Sequence, residues 1–191
     1  MMPVILVGGT WSNKQKDILA EEWWKPGSKF YYQTVKHGYK VYSFAWTTNL
    51  EGVLGKNEEW DSASERFSRI VPENAIIVAH SHGGQIPILA AAKGFKVKSL
   101  VTVATPVRGD MPYKEASKNI AFWSHIYGNY KDYMQILGSL MVGKLWALKR
   151  QMPEAGINIY HPAAHSELIN VELWNERNWW RLLRLGTVID I

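Results

Sequence analysis

The chain has 191 residues, 47% of them hydrophobic and 20% charged, enough for one sizeable core and too few for two domains of ordinary size. Its 22 Lys and Arg against 17 Asp and Glu leave a formal charge of +5, yet the cations are scattered and no long basic run or nucleic-acid motif stands among them, which argues against a nucleic-acid partner. The absence of cysteine excludes a disulfide framework and thiol chemistry.

The N-terminus, Met2-Pro3-Val4-Ile5-Leu6-Val7-Gly8-Gly9, carries no charged leader and its apolar run is too short for a secretory signal, so it reads as a first strand over Val4 to Val7 in a cytoplasmic protein. Asp17 to Trp24 follows as a short helix closed by Pro26-Gly27. Lys40 to Trp46 is a second strand, entered through His37-Gly38-Tyr39. Asn57 to Ile70 suits a helix with Trp60, Phe67 and Ile70 on one side, and Pro72-Glu73-Asn74 turns into a third apolar run, Asn74 to Val78. Val97 to Ala104 has the continuous apolar character of a buried central strand. Ile120 to Tyr127 is another strand, Tyr133 to Arg150 a Met- and Leu-rich helix, Ile157 to Tyr160 a last short strand, and Val171 to Leu185 a closing amphipathic helix. Strands alternating with helices predict a single α/β domain with a mostly parallel sheet of about six strands and helices on both faces.

The third strand runs into Ala79-His80-Ser81-His82-Gly83-Gly84, and a small-residue helix pattern over Gln85 to Ala92 leads out. Strand, sharp turn and helix with Ser at the apex describe a nucleophile elbow, whose strained turn demands small residues two before and two after the serine. Ala79 and Gly83 meet that demand. Ser81 is therefore the candidate nucleophile. His80 and His82 also spell an H-x-H metal pair, but Gly83-Gly84 stand where a zinc motif would continue, so no metal and no cofactor is expected. His80 is expected to pack beneath the turn, and His82 to offer its backbone N–H to the site.

A serine nucleophile needs a base and an orienting acid from loops at later strand ends. After Ile157 to Tyr160 comes His161-Pro162-Ala163-Ala164-His165-Ser166-Glu167-Leu168. His165 is favoured over His161 because it stands just before a helix start, with Ser166 as a plausible cap, whereas Pro162 restrains His161. For the acid, chain order permits Asp132 and Asp110; Asp132, which follows the second strand after the elbow, is preferred. Its role would be to accept from the histidine ring and fix the tautomer that takes the serine proton. Two N–H groups should receive the oxyanion: that of His82, next to the nucleophile, and that of Thr10 in the Gly8-Gly9-Thr10-Trp11 loop, with Trp11 as a wall of the site.

The Val-Gly-Gly-Thr-Trp loop, the His37-Gly38-Tyr39-Lys40-Val41 approach to a strand, the Ala-His-Ser-His-Gly-Gly elbow, Val103-Ala104-Thr105-Pro106 and Ala164-His165-Ser166-Glu167-Leu168 together span nearly the whole chain. In these segments the sequence resembles the α/β-hydrolase superfamily, in particular its small lipase- and esterase-like members. The resemblance implies a minimal α/β-hydrolase fold, a triad of Ser81, Asp132 and His165, and an oxyanion hole at Thr10 and His82. It departs from lipases at Gly8, where a His is usual, and at Ala79, where the first elbow Gly is usual.

The expected substrate is a small-molecule or lipid-like carboxylic ester, with a thioester, an amide, or a non-catalytic binding role as alternatives. The run from Tyr133 through Trp146, including Met134 and Leu137, suits either an acyl-binding wall or ordinary core, and falls short of the roughly 20 apolar residues of a membrane span. Trp179-Trp180-Arg181-Leu182-Leu183-Arg184 suits either a helix docked on the sheet or a weak lipid contact.

Overall fold

A computed structural model describes residues 2–9, 23–46, 58–128 and 150–185. Six strands form one sheet: β1 Pro3–Val7, β2 Lys40–Phe44, β3 Ala75–His80, β4 Val97–Val103, β5 Ile120–Tyr127 and β6 Ile157–Tyr160. Their spatial order is β2-β1-β3-β4-β5-β6, and every neighbouring pair is parallel. The chain first steps outward from β1 to β2, then crosses to the other side of β1 to lay down β3. The order reverses there, and such a switch point opens a crevice at the carboxyl ends of the two strands. Gly8-Gly9 and Ser81 follow those two ends.

Both faces of the sheet are covered, so the inner strands carry apolar residues without interruption; β3 is buried along its whole length. Successive side chains serve opposite layers. Ile5, Val7, Ile77 and Ala79 pack with α2 (Glu58–Ile70), α3 (Gln85–Ala92) and α4 (Tyr113–Ser117) on one face. Val4, Leu6, Ile76 and Val78 pack on the other with α1 (Lys29–Lys36), α5 (Val171–Glu176) and the 3-10 turn Trp179–Leu183.

Helix α2 buries Trp60, Ala63, Ser64 and Phe67, the i, i+3, i+4, i+7 stripe of a helix with one wet face. Helix α3 is apolar nearly all round because it lies on the sheet between α2 and α4. Its Pro87 falls in the first turn, where a missing N–H costs nothing.

The expected strands are present, with β2 ending at Phe44 rather than Trp46. The expected continuous helix over Val171 to Leu185 is not. It stops at Glu176, Asn178 takes a left-handed conformation at φ 52°, and the chain resumes as the 3-10 turn. Asparagine tolerates that region because its short polar side chain can hydrogen-bond locally. The break turns Trp174, Trp179 and Trp180 together into the core, where Trp174 and Trp180 pack on Phe30 and Trp179 packs on Trp174; from Trp179 to Arg184 only Arg181 and Arg184 face water. The docked arrangement is thus realised, in a different conformation.

Helices α1 and α4 had no counterpart among the expected elements. The helix expected over Asp17 to Trp24 lies outside the described residues except for Trp23 and Trp24, which stand in a turn; that over Tyr133 to Arg150 lies outside them except for Arg150. No helix among the described residues is long and apolar enough to cross a membrane.

Candidate active site

Ser81 leaves β3 with φ at 53°, in the left-handed region that a residue with a Cβ rarely enters. Holding it there costs on the order of 1–3 kcal/mol, which the surrounding packing must supply. The next three residues coil into a 3-10 turn, Ser81–Gly84, that opens directly into α3. Glycine is required twice in that turn. A Cβ on Gly83 would stand 2.1 Å from the Gly8 carbonyl oxygen, and one on Gly84 would stand 2.1 Å from Thr105 Oγ1. The elbow therefore sits flush against the loops that leave β1 and β4. Ala104, next to Ser81 across the β3–β4 register, has the same left-handed backbone at φ 50°.

The loop after β1 is fixed from the far side. Trp46 Nε1–H donates to the Gly8 carbonyl at 2.7 Å, with the indole buried. Thr10 and Trp11, the expected second oxyanion donor and site wall, lie outside the described residues, as do Asp132, Met134 and Leu137.

The two histidines that flank Ser81 go to opposite layers of the sheet. His80 is fully buried, edge-on to Trp23 and against the ring of His165, with centroids 4.7 Å apart. His82 stacks on Trp60, with centroids 5.6 Å apart and planes 27° apart. The left-handed turn at Ser81 separates them, so the H-x-H pair does not converge as two ligands of one metal would. The His82 pKa is pushed down to about 3, chiefly by burial and further by the guanidinium of Arg108. It remains a neutral ring at any ordinary pH.

His165 lies in the loop after β6, half-buried. Its ring packs against that of His80, the residue before Ser81. Several bonds shape its loop. His161 N–H donates to the Tyr127 carbonyl at 3.0 Å, tying the loop start to β5. Ala163 N–H donates to His161 Nδ1 at 3.1 Å, and Ala164 N–H to Glu167 Oε2 at 2.8 Å. Trp174 Nε1–H donates to the Leu168 carbonyl at 2.8 Å. Gly128 allows the loop to close on β5, since a Cβ there would lie 2.9 Å from the Ala163 carbonyl oxygen. His161 itself is thus spent on shaping the turn.

Asp110 has a different occupation from the one considered for it. Arg108, with only 5% of its surface exposed, forks onto it, Nε to Oδ1 at 2.9 Å and the terminal nitrogen to Oδ2 at 2.7 Å, while the guanidinium lies 4.8 Å over Trp60. Both carboxylate oxygens are engaged by this bidentate pair. Arg108 was not singled out in the sequence, where Val107-Arg108-Gly109-Asp110 looks like an ordinary loop, and Trp60 was read only as part of a helix face.

No family model matches the sequence, and no curated protein matches it. Solved structures share its architecture. A carboxylesterase structure from the ammonia-oxidizing thaumarchaeon Nitrososphaera gargenis is 13% identical, aligned over 97% of this chain and 91% of that one with a TM-score of 0.60. An extracellular α/β-hydrolase from a Paenibacillus species is 11% identical over 97% and 99% of the two chains at 0.57. A thioesterase domain from the curacin biosynthetic pathway is 13% identical over 98% and 92% at 0.52. The fold is the α/β-hydrolase fold, with the six-stranded parallel sheet described above.

Proposed function

We propose that the protein is a serine hydrolase that cleaves a carboxylic ester or thioester through an acyl-enzyme on Ser81. One observation carries the reading: a serine held at φ 53° on the turn between β3 and α3, with His165 brought against the residue beside it. Left-handed backbone at a non-glycine residue is costly, and at a strand-to-helix turn it lifts the side chain clear of the sheet, as a nucleophile elbow requires. The fold likeness to a carboxylesterase and a thioesterase domain adds support for this reaction class.

In this reading Ser81 Oγ attacks the substrate carbonyl as His165 takes its proton. The oxyanion of the tetrahedral intermediate is received by the backbone N–H groups of His82 and Thr10. Collapse expels the alcohol or thiol, protonated by His165, and leaves the acyl group on Ser81. Water then attacks with His165 as base, the ester bond to Ser81 breaks, and the carboxylic acid departs. Asp132 accepts from the His165 ring and holds its tautomer. Trp11, Met134 and Leu137 are proposed to line the acyl side, and no cofactor enters the scheme.

Release of p-nitrophenol from acyl esters of increasing chain length, set beside release of thiol from matching acyl thioesters, tests the reading. Turnover that disappears in Ser81→Ala supports it, and the ratio of the two rates assigns the leaving group. Turnover unchanged in Ser81→Ala overturns it.

A further inference from the structure

The residue before the elbow serine and the residue at the end of the base loop are joined by a hydrogen bond. His80 Nε2 lies 3.1 Å from the backbone carbonyl oxygen of His165. A carbonyl only accepts, so His80 must carry its proton on Nε2 and donate. His80 is fully buried at the last position of β3, with its strand register fixed by β1 on one side and β4 on the other. Its ring is held edge-on by Trp23 and packs against the His165 ring.

We propose that His80 is a positioning residue that sets the distance between nucleophile and base. This rests on Ser81 and His165 acting as proposed above. The loop that carries His165 is tied to β5 at its start, through His161 N–H and Gly128, and to α5 at its end, through Trp174. Those bonds place the loop relative to β5 and α5. The His80 bond places His165 relative to β3, the strand that carries Ser81, across a covalent path of a single peptide unit. Any drift of the loop is thereby referenced to the nucleophile itself. A proton transfer depends steeply on such placement, since an ångström of misalignment can cost about 100-fold in rate.

The bond does not touch substrate, so its loss is read in kcat and not in binding. His80→Leu keeps an apolar volume and removes the donor; it is expected to lower kcat for a p-nitrophenyl ester about 30- to 100-fold with KM within about twofold. Glutamine carries an amide N–H at nearly the same distance from the backbone as histidine Nε2, so His80→Gln is expected to recover kcat to within about fivefold of wild type. Long-range 1H–15N correlation of the wild-type imidazoles reads the tautomer directly, and His80 is expected as the neutral Nε2–H form. If His80→Leu does not fold, the glutamine variant and the tautomer still decide.

A wild-type protein that turns over ester while His80→Leu does so equally well overturns the positioning role alone, as does an Nδ1–H tautomer at His80 or a glutamine variant no better than leucine. A wild-type protein that neither turns over esters nor reacts with a fluorophosphonate overturns the base assignment, and the positioning role with it.

Discussion

A Cβ on Gly83 would stand 2.1 Å from the carbonyl oxygen of Gly8, so the turn after Ser81 and the loop after β1 meet backbone to backbone. Nothing flexible lies between them to give way. Gly83→Ala must therefore push the two loops apart, at a cost of about 2–4 kcal/mol in unfolding free energy. Since the oxyanion donors proposed for His82 and Thr10 stand on those two loops, ester turnover is expected to fall well beyond what lost stability explains. Urea unfolding and kcat on the folded variant separate the two effects.

Trp46 supports the same carbonyl from outside the turn. Replacing it by phenylalanine keeps most of the ring but removes the Nε1–H that donates to Gly8 at 2.7 Å. The carbonyl then loses a buried partner, worth about 1–3 kcal/mol. Trp46→Phe is predicted to lower the unfolding free energy by that amount, read from urea unfolding, and to reduce kcat through a loosened β1 loop, whereas a surface Trp would show neither change.

Asp110 and Asp132 both satisfy the chain order of a triad acid, and their substitutions should separate. Asp110 is engaged by the Arg108 fork. Asp110→Asn strips the counter-charge from a buried guanidinium and is expected to cost about 1–2 kcal/mol of stability, discounted for the partial exposure of the carboxylate, with kcat within about threefold of wild type. Asp132→Asn is expected to lower kcat by about 10³- to 10⁴-fold with stability nearly unchanged. Equal kinetic losses in both, or the reverse order, would reassign the acid.

His125 gives the fold an acid sensitivity. It is buried on β5, where its Nε2–H donates to the Arg150 carbonyl at 3.0 Å. Its Nδ1 therefore accepts from Thr102 Oγ1 at 2.9 Å, while Trp123 Nε1–H donates to the same hydroxyl at 3.1 Å. Burial pulls the His125 pKa down to about 4. In the unfolded chain the ring takes a proton near its ordinary 6.5, so between pH 6.5 and about 4 the unfolded state binds a proton that the native state refuses. Stability consequently falls as pH drops through that window, by up to about 3 kcal/mol from this residue, and its contribution flattens below pH 4. His82 acts in the same direction down to about pH 3. Urea unfolding at pH 7, 5.5 and 4.5 should show the decline. His125→Gln, which keeps the donor to Arg150 but cannot titrate, should make the slope shallower.

The inner strands were legible in the sequence because they are buried on both faces and so read as unbroken apolar runs, and the exposed edge strand β6 also lies at its expected residues. The elbow was legible for a steric reason, since Ala79, Gly83 and Gly84 are the small residues that such a turn requires. Helix α1, Lys-Phe-Tyr-Tyr-Gln-Thr-Val-Lys, was not, because its exposed Tyr32 and Val35 blur the apolar stripe left by buried Phe30 and Thr34. The break at Asn178 was missed because the hydrophobic pattern of Val171 to Leu185 continues across it, although an asparagine before Trp179 is the residue type that ends helices this way. At the site, Ser81 and His165 could be named from local pattern. The bonds of His80 to His165 and of Trp46 to Gly8 join residues 85 and 38 positions apart, and only the folded chain brings them together.

An activated nucleophile at Ser81 would react with a fluorophosphonate whatever its substrate is. The wild-type protein, its Ser81→Ala variant and its His165→Asn variant would be treated with the probe and weighed intact, and the modified peptide sequenced. A single phosphonyl adduct on Ser81 of the wild-type protein, absent from Ser81→Ala and formed far more slowly in His165→Asn, is the predicted result. An unmodified wild-type protein, or an adduct at another residue, would contradict the account.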